Sequence, residues 1–189
     1  MTSLLPDIDP DGLLEYSVVF TDRSLNHMSQ TFQQVMKDIS SNLKEVYNAA
    51  AVVVVPGGGT YGMESVARQF ATGRKCLVIR NGFFSFRWSQ IIDMGSLTDE
   101  TTVMLARQSA AGPQAPFAPP AIEDVTATIR SEKPDVVFAP HVDTSSGIIL
   151  PDEYLRAVAD AVHQHGGLFV LDCVASGCVW VDMKASGVD

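Results

Sequence analysis

Residues 51–64 read Ala51-Val52-Val53-Val54-Val55-Pro56-Gly57-Gly58-Gly59-Thr60-Tyr61-Gly62-Met63-Glu64. The stretch opens with five apolar residues, four of them β-branched, a composition that predicts a buried strand. Three consecutive glycines and a threonine follow, and then Met63, Val66, Ala67 and Phe70 recur at helical spacing. A strand, a glycine turn and a helix in that order point backbone N–H groups and a helix N-terminus at an anion, most commonly phosphate. The same glycines suit a tight turn that needs them only for its backbone angles, so on this stretch alone both readings stay open. Thr60 can cap the helix or bond a phosphate oxygen, and three glycines exceed the needs of one turn.

Outward from this stretch, strands and helices alternate. Upstream, Phe32, Val35, Met36, Ile39, Leu43, Val46 and Tyr47 mark one face of a long helix, expected to pack as a surface helix. Residues 1–28 are punctuated by Pro6, Pro10 and Gly12 and read as an irregular N-terminal arm, either lying on another subunit or forming a mobile end. Downstream, residues 75–80 read as a strand closed by Asn81-Gly82, then Phe83, Phe84, Phe86 and Trp88 crowd together. Trp88, Ile91, Ile92 and Gly95 keep helical spacing, which makes Trp88 core. Phe84, just past the strand end, either packs in the ordinary way or covers a flat ligand. A short strand at 101–105, a proline-rich loop at 110–120 and a short amphipathic helix through Ile122, Val125 and Ile129 come next. Residues 135–141 form a strand that ends in polar residues, and Val142-Asp143-Thr144-Ser145-Ser146-Gly147 a small-polar loop. Pro151 opens a helix striped by Leu155, Val158, Ala159 and Val162, Gly166-Gly167 stops it, and Leu168-Phe169-Val170-Leu171-Asp172 is a buried strand ending on a carboxylate. Residues 29–189 therefore predict one α/β domain with a mainly parallel sheet flanked by helices.

The 189 residues suffice for such a core, and at 46% hydrophobic residues disorder is not expected. A formal net charge of −9 argues against nucleic acid or an anionic membrane as partner. No apolar run is long enough to span a bilayer, and the first residues lack the regions of a signal peptide. Cys76, Cys173 and Cys178 are an odd set without metal-ligand spacing. They predict reduced thiols, a cytoplasmic protein and no metal site; Cys76 belongs to the core, and Cys173 can line a pocket.

In sheets of this kind ligands bind outside the carboxyl ends of the strands. Gly58, Gly59 and Thr60, then Phe84, then residues 141–144, then Asp172 all fall at predicted carboxyl ends, so they share one rim. That rim offers a phosphate cradle, an aromatic, small hydroxyls and a carboxylate. A planar cofactor with a phosphate arm and a basic ring nitrogen would use all four, and pyridoxal 5'-phosphate is such a molecule. A carboxylate against its ring nitrogen keeps that nitrogen protonated. For Asp172 the alternative is a helix cap or a surface carboxylate.

Three segments together resemble the class V aminotransferases of the alanine–glyoxylate and serine–pyruvate type: Pro56-Gly57-Gly58-Gly59-Thr60 with Glu64, residues 141–147, and Leu171-Asp172-Cys173-Val174-Ala175-Ser176. The resemblance runs from about Asn26 to the end. It implies the fold-type I large domain of pyridoxal-phosphate transferases, in truncated form, without the C-terminal part or small domain. It implies that Gly58, Gly59 and Thr60 bind the cofactor phosphate, Phe84 stacks on the pyridine ring, and Val174 packs on the opposite ring face. It further implies that Thr144 bonds the phenolic oxygen region and Asp172 pairs with the ring nitrogen. It implies transamination between a small amino acid (alanine or serine) and a 2-oxo acid (glyoxylate or pyruvate), in a homodimer. The Schiff-base lysine and the arginine for the substrate carboxylate would lie beyond Asp189, and Lys184, in an expected exposed turn, is not promoted to that role. The 189 residues are then expected to be inactive alone. Three other readings stand beside this one: a pyridoxal-phosphate lyase such as a cysteine desulfurase, a non-catalytic truncated cofactor-binding or dimerisation module, and, ranked last because the Gly-x-x-x-x-Gly-Lys pattern and the spaced dinucleotide glycines are absent, a nucleotide-binding α/β domain using the glycine loop.

Overall fold

The structure, a computed structural model, describes residues 27–189. Of the N-terminal arm expected at 1–28, all but His27 and Met28 lies outside the described residues. The chain divides between Val53 and Val54 into two units.

The first unit contributes α1, Gln30–Tyr47. Ser29 caps it by accepting the Phe32 N–H at 3.1 Å, and Asn48 ends it in the left-handed conformation (φ 50°). The predicted stripe forms a helix as expected, but α1 buries none of its residues; Val35, Ile39 and Val46 are all exposed. The expectation of a packed face is corrected here. Periodicity specifies an amphipathic helix, whereas burial also requires a surface to cover it.

In the second unit, α2 spans Gly59–Phe70, β1 Cys76–Arg80, α3 Phe83–Met94 and β2 Thr101–Leu105. They are followed by β3 (Arg107–Gln108), β4 (Phe117–Ala118), α4 (Ile122–Glu132) and β5 (Val136–Pro140). The chain closes with β6 (Val142–Asp143), β7 (Ile148–Ile149), α5 (Asp152–His163), β8 (Leu168–Asp172) and the short α6 (Met183–Ser186). The central sheet has the order β2-β1-β5-β8, and every pairing in it is parallel. Parallel strands covered on both faces read as continuous apolar runs, as β1 and β5 do.

Alternate residues of each strand feed two cores. Leu77 and Ile79 of β1 join Val125 and Ile129 of α4 and Leu155 and Val158 of α5 on one face. Cys76 and Val78 join Met63 and Ala67 of α2 and Trp88 and Ile92 of α3 on the other. Trp88 is buried against Phe138 of β5, ring centroids 4.5 Å apart; truncating buried aromatics of this size costs about 3–5 kcal/mol. The result is three layers, with α2 and α3 side by side on one face.

The strand expected at 51–55 does not form: no ladder includes it, and Val53, Val54 and Val55 are exposed. A β-branched run becomes a strand only where a neighbour supplies ladder partners, and no described strand lies alongside this one. The glycine turn therefore does not follow a strand end, and α2 alone carries it. Two hairpins were not legible in the loops. Arg107 and Gln108 pair with Ala118 and Phe117, and Val142 and Asp143 pair with Ile149 and Ile148. Phe84, expected just past a strand, is the second residue of α3.

Candidate functional site

The glycine turn divides its labour. Gly57 holds φ +131°, which only glycine adopts readily, so the turn itself needs this residue. Gly58 is the N-cap of α2 with φ −81°, ordinary for any residue, and a Cβ built on it would meet nothing within 4 Å. Neither its backbone nor its surroundings call for glycine. A Cβ on Gly59 would sit 3.3 Å from Cγ2 of Val174, so Gly59 lets the loop after β8 approach closely. No side chain caps α2. The Tyr61 N–H is taken by the Gly58 carbonyl at 2.9 Å, which leaves the N–H groups of Gly59 and Thr60 without an acceptor among the described residues, at the positive end of the helix dipole. Thr60, also exposed, accepts a hydrogen bond from Nη1 of Arg87 at 2.9 Å.

The loop after β8 carries the second part. Asp172, half-buried, ends β8 opposite Pro140. Its Oδ1 accepts the Val174 N–H at 3.0 Å, and its backbone carbonyl accepts the His141 N–H at 2.8 Å. Oδ2 is bonded by no described residue. His141 and Ser176 are buried, and Nδ1 of the ring lies 2.7 Å from Oγ of Ser176, which ties this loop to the end of β5. Burial lowers the His141 pKa below its ordinary 6.5, with the Asp152 charge acting in the opposite sense. Burial, with the Asp172 charge adding to it, pushes the Cys173 thiol up to about 11 against a bond from Ser176, so it stays protonated at neutral pH.

The third part is the N-terminus of α3. Asp143, fully buried, accepts from Oγ and N–H of Ser85 (2.7 and 2.9 Å) and from Oγ and N–H of Ser145 (2.6 and 3.3 Å). Oγ of Ser85 in turn accepts the N–H groups of Asn81 and Gly82, and Oγ of Ser145 accepts that of Phe83 at 2.7 Å. A Cβ on Gly82 would collide with Ser145 and Asp143, so glycine is required for this approach. Burial is the largest single influence on the Asp143 carboxyl and pushes its pKa up. The bonds from Ser145 and Ser85 together outweigh burial and leave it below the ordinary 3.8. The network fixes the helix start that carries Phe84, which is itself partly exposed (37%) and meets Phe83 edge-on. Thr144 is exposed in the turn between Asp143 and Ser145.

The structure thus joins Gly59 to Val174, Val174 to Asp172, Asp172 to His141, and the turn containing Thr144 to the start of α3 beside Phe84. Sequence reasoning gave no role to Asp143, Ser85, Ser145, Ser176 or Arg87. Ser85, three residues after Gly82, carried a local capping signal. Asp143 and Ser145 also bond each other two residues apart, but the contacts that tie these residues, Ser176 and Arg87 to the site span 27 to 62 residues, where no local signal exists.

Residues 13–189 match the family described as Aminotransferase class-V. The chain belongs to the class V aminotransferase family. Among the family's relatives, the soluble hydrogenase small subunit of Synechococcus sp. (strain PCC 6716) is 30% identical over 87% of this chain and 41% of its own. The L-aspartate–glyoxylate aminotransferase of Paracoccus denitrificans (strain Pd 1222) is 28% identical over 88% of this chain and 41% of its own. A subgroup IV aspartate aminotransferase of Thermus thermophilus matches the structure with a TM-score of 0.69, 28% identity, and coverage of 88% of this chain and 44% of its own. The chain therefore spans about two-fifths of the length of the curated relatives. The fold is that of the fold-type I transferase large domain, and family membership implies pyridoxal 5'-phosphate as cofactor. The residues present fit that molecule. An uncapped helix end beside a glycine that no backbone angle demands suits a phosphate, and an unshared oxygen of Asp172 suits a ring N–H. Among the described residues no helix is long and apolar enough to cross a membrane.

Proposed function

We propose that the full-length protein carrying this chain is an aminotransferase moving an amino group from a small amino acid, alanine or serine, to a 2-oxo acid, glyoxylate or pyruvate. One observation carries this reading: the uncapped start of α2 lies against Val174, two residues past Asp172, so an anion cradle and a carboxylate share one short rim. The relatives' names support the direction, since one acts on aspartate and glyoxylate.

In this reading the N–H groups of Gly59 and Thr60 hold the phosphate, with Gly58 leaving room for it. Phe84 and Val174 confine the ring between them, and Thr144 orients its phenolic edge. Asp172 holds a proton at the ring nitrogen. When bound, the cofactor supplies a pyridinium ring that draws negative charge away from a substrate carbon. The Val174 N–H fixes Oδ1 of Asp172, so the carboxylate presents Oδ2 in one orientation. The lysine that shuttles the proton and the arginine that reads the substrate carboxylate belong to the remaining length, and the full-length protein is a homodimer. The protein works in a reducing compartment, the cytoplasm, consistent with three free cysteines. Thiol-based lyase chemistry is less well supported, because the thiol beside Asp172 is the one held at about 11.

The test is Asp172→Asn in the full-length protein. Asparagine keeps the shape but does not hold a positive ring nitrogen, and the rate of transamination is expected to fall roughly a hundredfold or more. An unchanged rate would remove Asp172 from the site.

A further inference from the structure

We infer that Arg87 is a positioning residue of the phosphate cradle: it sets the Thr60 hydroxyl as a hydrogen-bond donor toward the phosphate. This rests on the cofactor reading above and goes beyond it in naming a residue that no part of that reading uses.

A guanidinium can donate hydrogen bonds but not accept them, so the 2.9 Å bond from Nη1 of Arg87 to Oγ1 of Thr60 has only one possible polarity. Thr60 is the acceptor, and its own O–H must point elsewhere. Other helical hydroxyls here turn back on their own helix. Thr72 donates to the Arg68 carbonyl (2.6 Å), Thr128 to that of Asp124 (2.8 Å), and Ser65 to that of Gly62 (2.8 Å). Thr60 is the second residue of α2, so no helical carbonyl precedes it by a turn. No described residue accepts its proton. The hydroxyl is therefore left as a donor at the mouth of the glycine turn, where the first-turn N–H groups also lie.

Charge points the same way. Arg87 has no carboxylate within 4.0 Å among the described residues, while Glu64, which lines the same cleft of about 480 Å³, is paired with Arg68 at 2.7 Å. The positive charge of Arg87 is thus uncompensated beside the positive end of α2, in a chain whose net charge is −9. Placement adds a third reason. Arg87 and Phe84 sit one turn apart on α3, whose start is held by Asp143 through Ser85 and Ser145. One rigid helix then sets the distance between the ring wall and the cradle.

The experiment is an absorbance titration of the full-length apoprotein with pyridoxal 5'-phosphate and, separately, with pyridoxal, which lacks the phosphate. The proteins compared are the parent, Arg87→Gln, Arg87→Lys, Thr60→Val and the Arg87→Gln/Thr60→Val double variant. Arg87→Gln is expected to weaken the phosphorylated ligand about tenfold, the scale of one charge-assisted bond. Arg87→Lys, still a pure donor, should recover part of the loss. The double variant should be no worse than Thr60→Val, because Arg87 acts through Thr60. Pyridoxal should bind all five proteins equally, which also reports that they are folded. Arg87→Gln binding as tightly as the parent, or weakening both ligands alike, overturns the inference while leaving the cofactor reading in place. A parent protein that does not prefer the phosphorylated ligand overturns the cofactor reading and this inference with it.

Discussion

The start of α3 and the start of α2 are both helix N-termini on the same face of the sheet, and they are built in opposite ways. At α3 the donors are consumed by protein: Ser85 and Ser145 take the N–H groups of Asn81, Gly82 and Phe83, and a buried Asp143 holds both hydroxyls. At α2 no side chain caps the helix, and Gly58 has open space where a side chain would fit. Buried polar groups are expensive unless satisfied, so a finished network is a structural wall. At α2 the N–H groups of Gly59 and Thr60 are bonded by no described residue, and Arg87 close by has no carboxylate partner among the described residues. The start of α3 is thus complete without a ligand, whereas the start of α2 keeps N–H groups that no described residue bonds.

The largest effect expected from breaking this contrast is on stability. Asp143→Ala removes a charged acceptor of four bonds, two from the Ser85 and Ser145 hydroxyls and two from their N–H groups. It should cost about 3 kcal/mol or more in urea unfolding. Asp143→Asn, which keeps one acceptor oxygen, should cost less. If both variants unfold like the parent, the wall is not structural. The second effect falls on binding alone. Gly58→Ala meets no neighbour and needs no unusual backbone, so stability should change by under about 0.5 kcal/mol. The added methyl occupies the cradle, and affinity for pyridoxal 5'-phosphate should fall about tenfold in the same absorbance titration. Equal affinity would mean that phosphate does not approach Gly58.

The smallest effect is the acid dependence of stability. His141 and Asp143 both titrate below their ordinary values in the folded protein, so the unfolded chain binds protons first and stability falls with falling pH. The His141 contribution is present above pH 6.5 and is lost as pH drops through the folded value. That of Asp143 is present above 3.8 and is lost below it in the same way. His141→Asn should flatten the first limb of a plot of urea midpoint against pH and leave the second. A first limb that survives the substitution would assign it to another group.

Much of the sheet was legible because its central strands β1 and β5 are buried on both faces and so carry their own signature. The apolar runs at 76–80, 136–140 and 168–172 read as strands, and the helical stripes between them set the alternation. The run at 51–55 has the same composition and is not a strand, because a ladder needs a neighbour and composition cannot supply one. In the same way the stripe of α1 specified a helix but not a burial. The two short hairpins were hidden because a two-residue strand has no period to detect.

By itself the sequence determined the family, the parallel α/β class, and which residues are chemically suited to an anion, a flat ring and a ring nitrogen. These follow from local composition and order along the chain. Only the tertiary structure decided that Asp143 braces α3, that Arg87 fixes the polarity of Thr60, and that Gly59 makes room for Val174. Each of those is a contact between distant segments. A hydrogen bond or a van der Waals limit acts over a few ångströms of space, and only the fold states which parts of the chain share them.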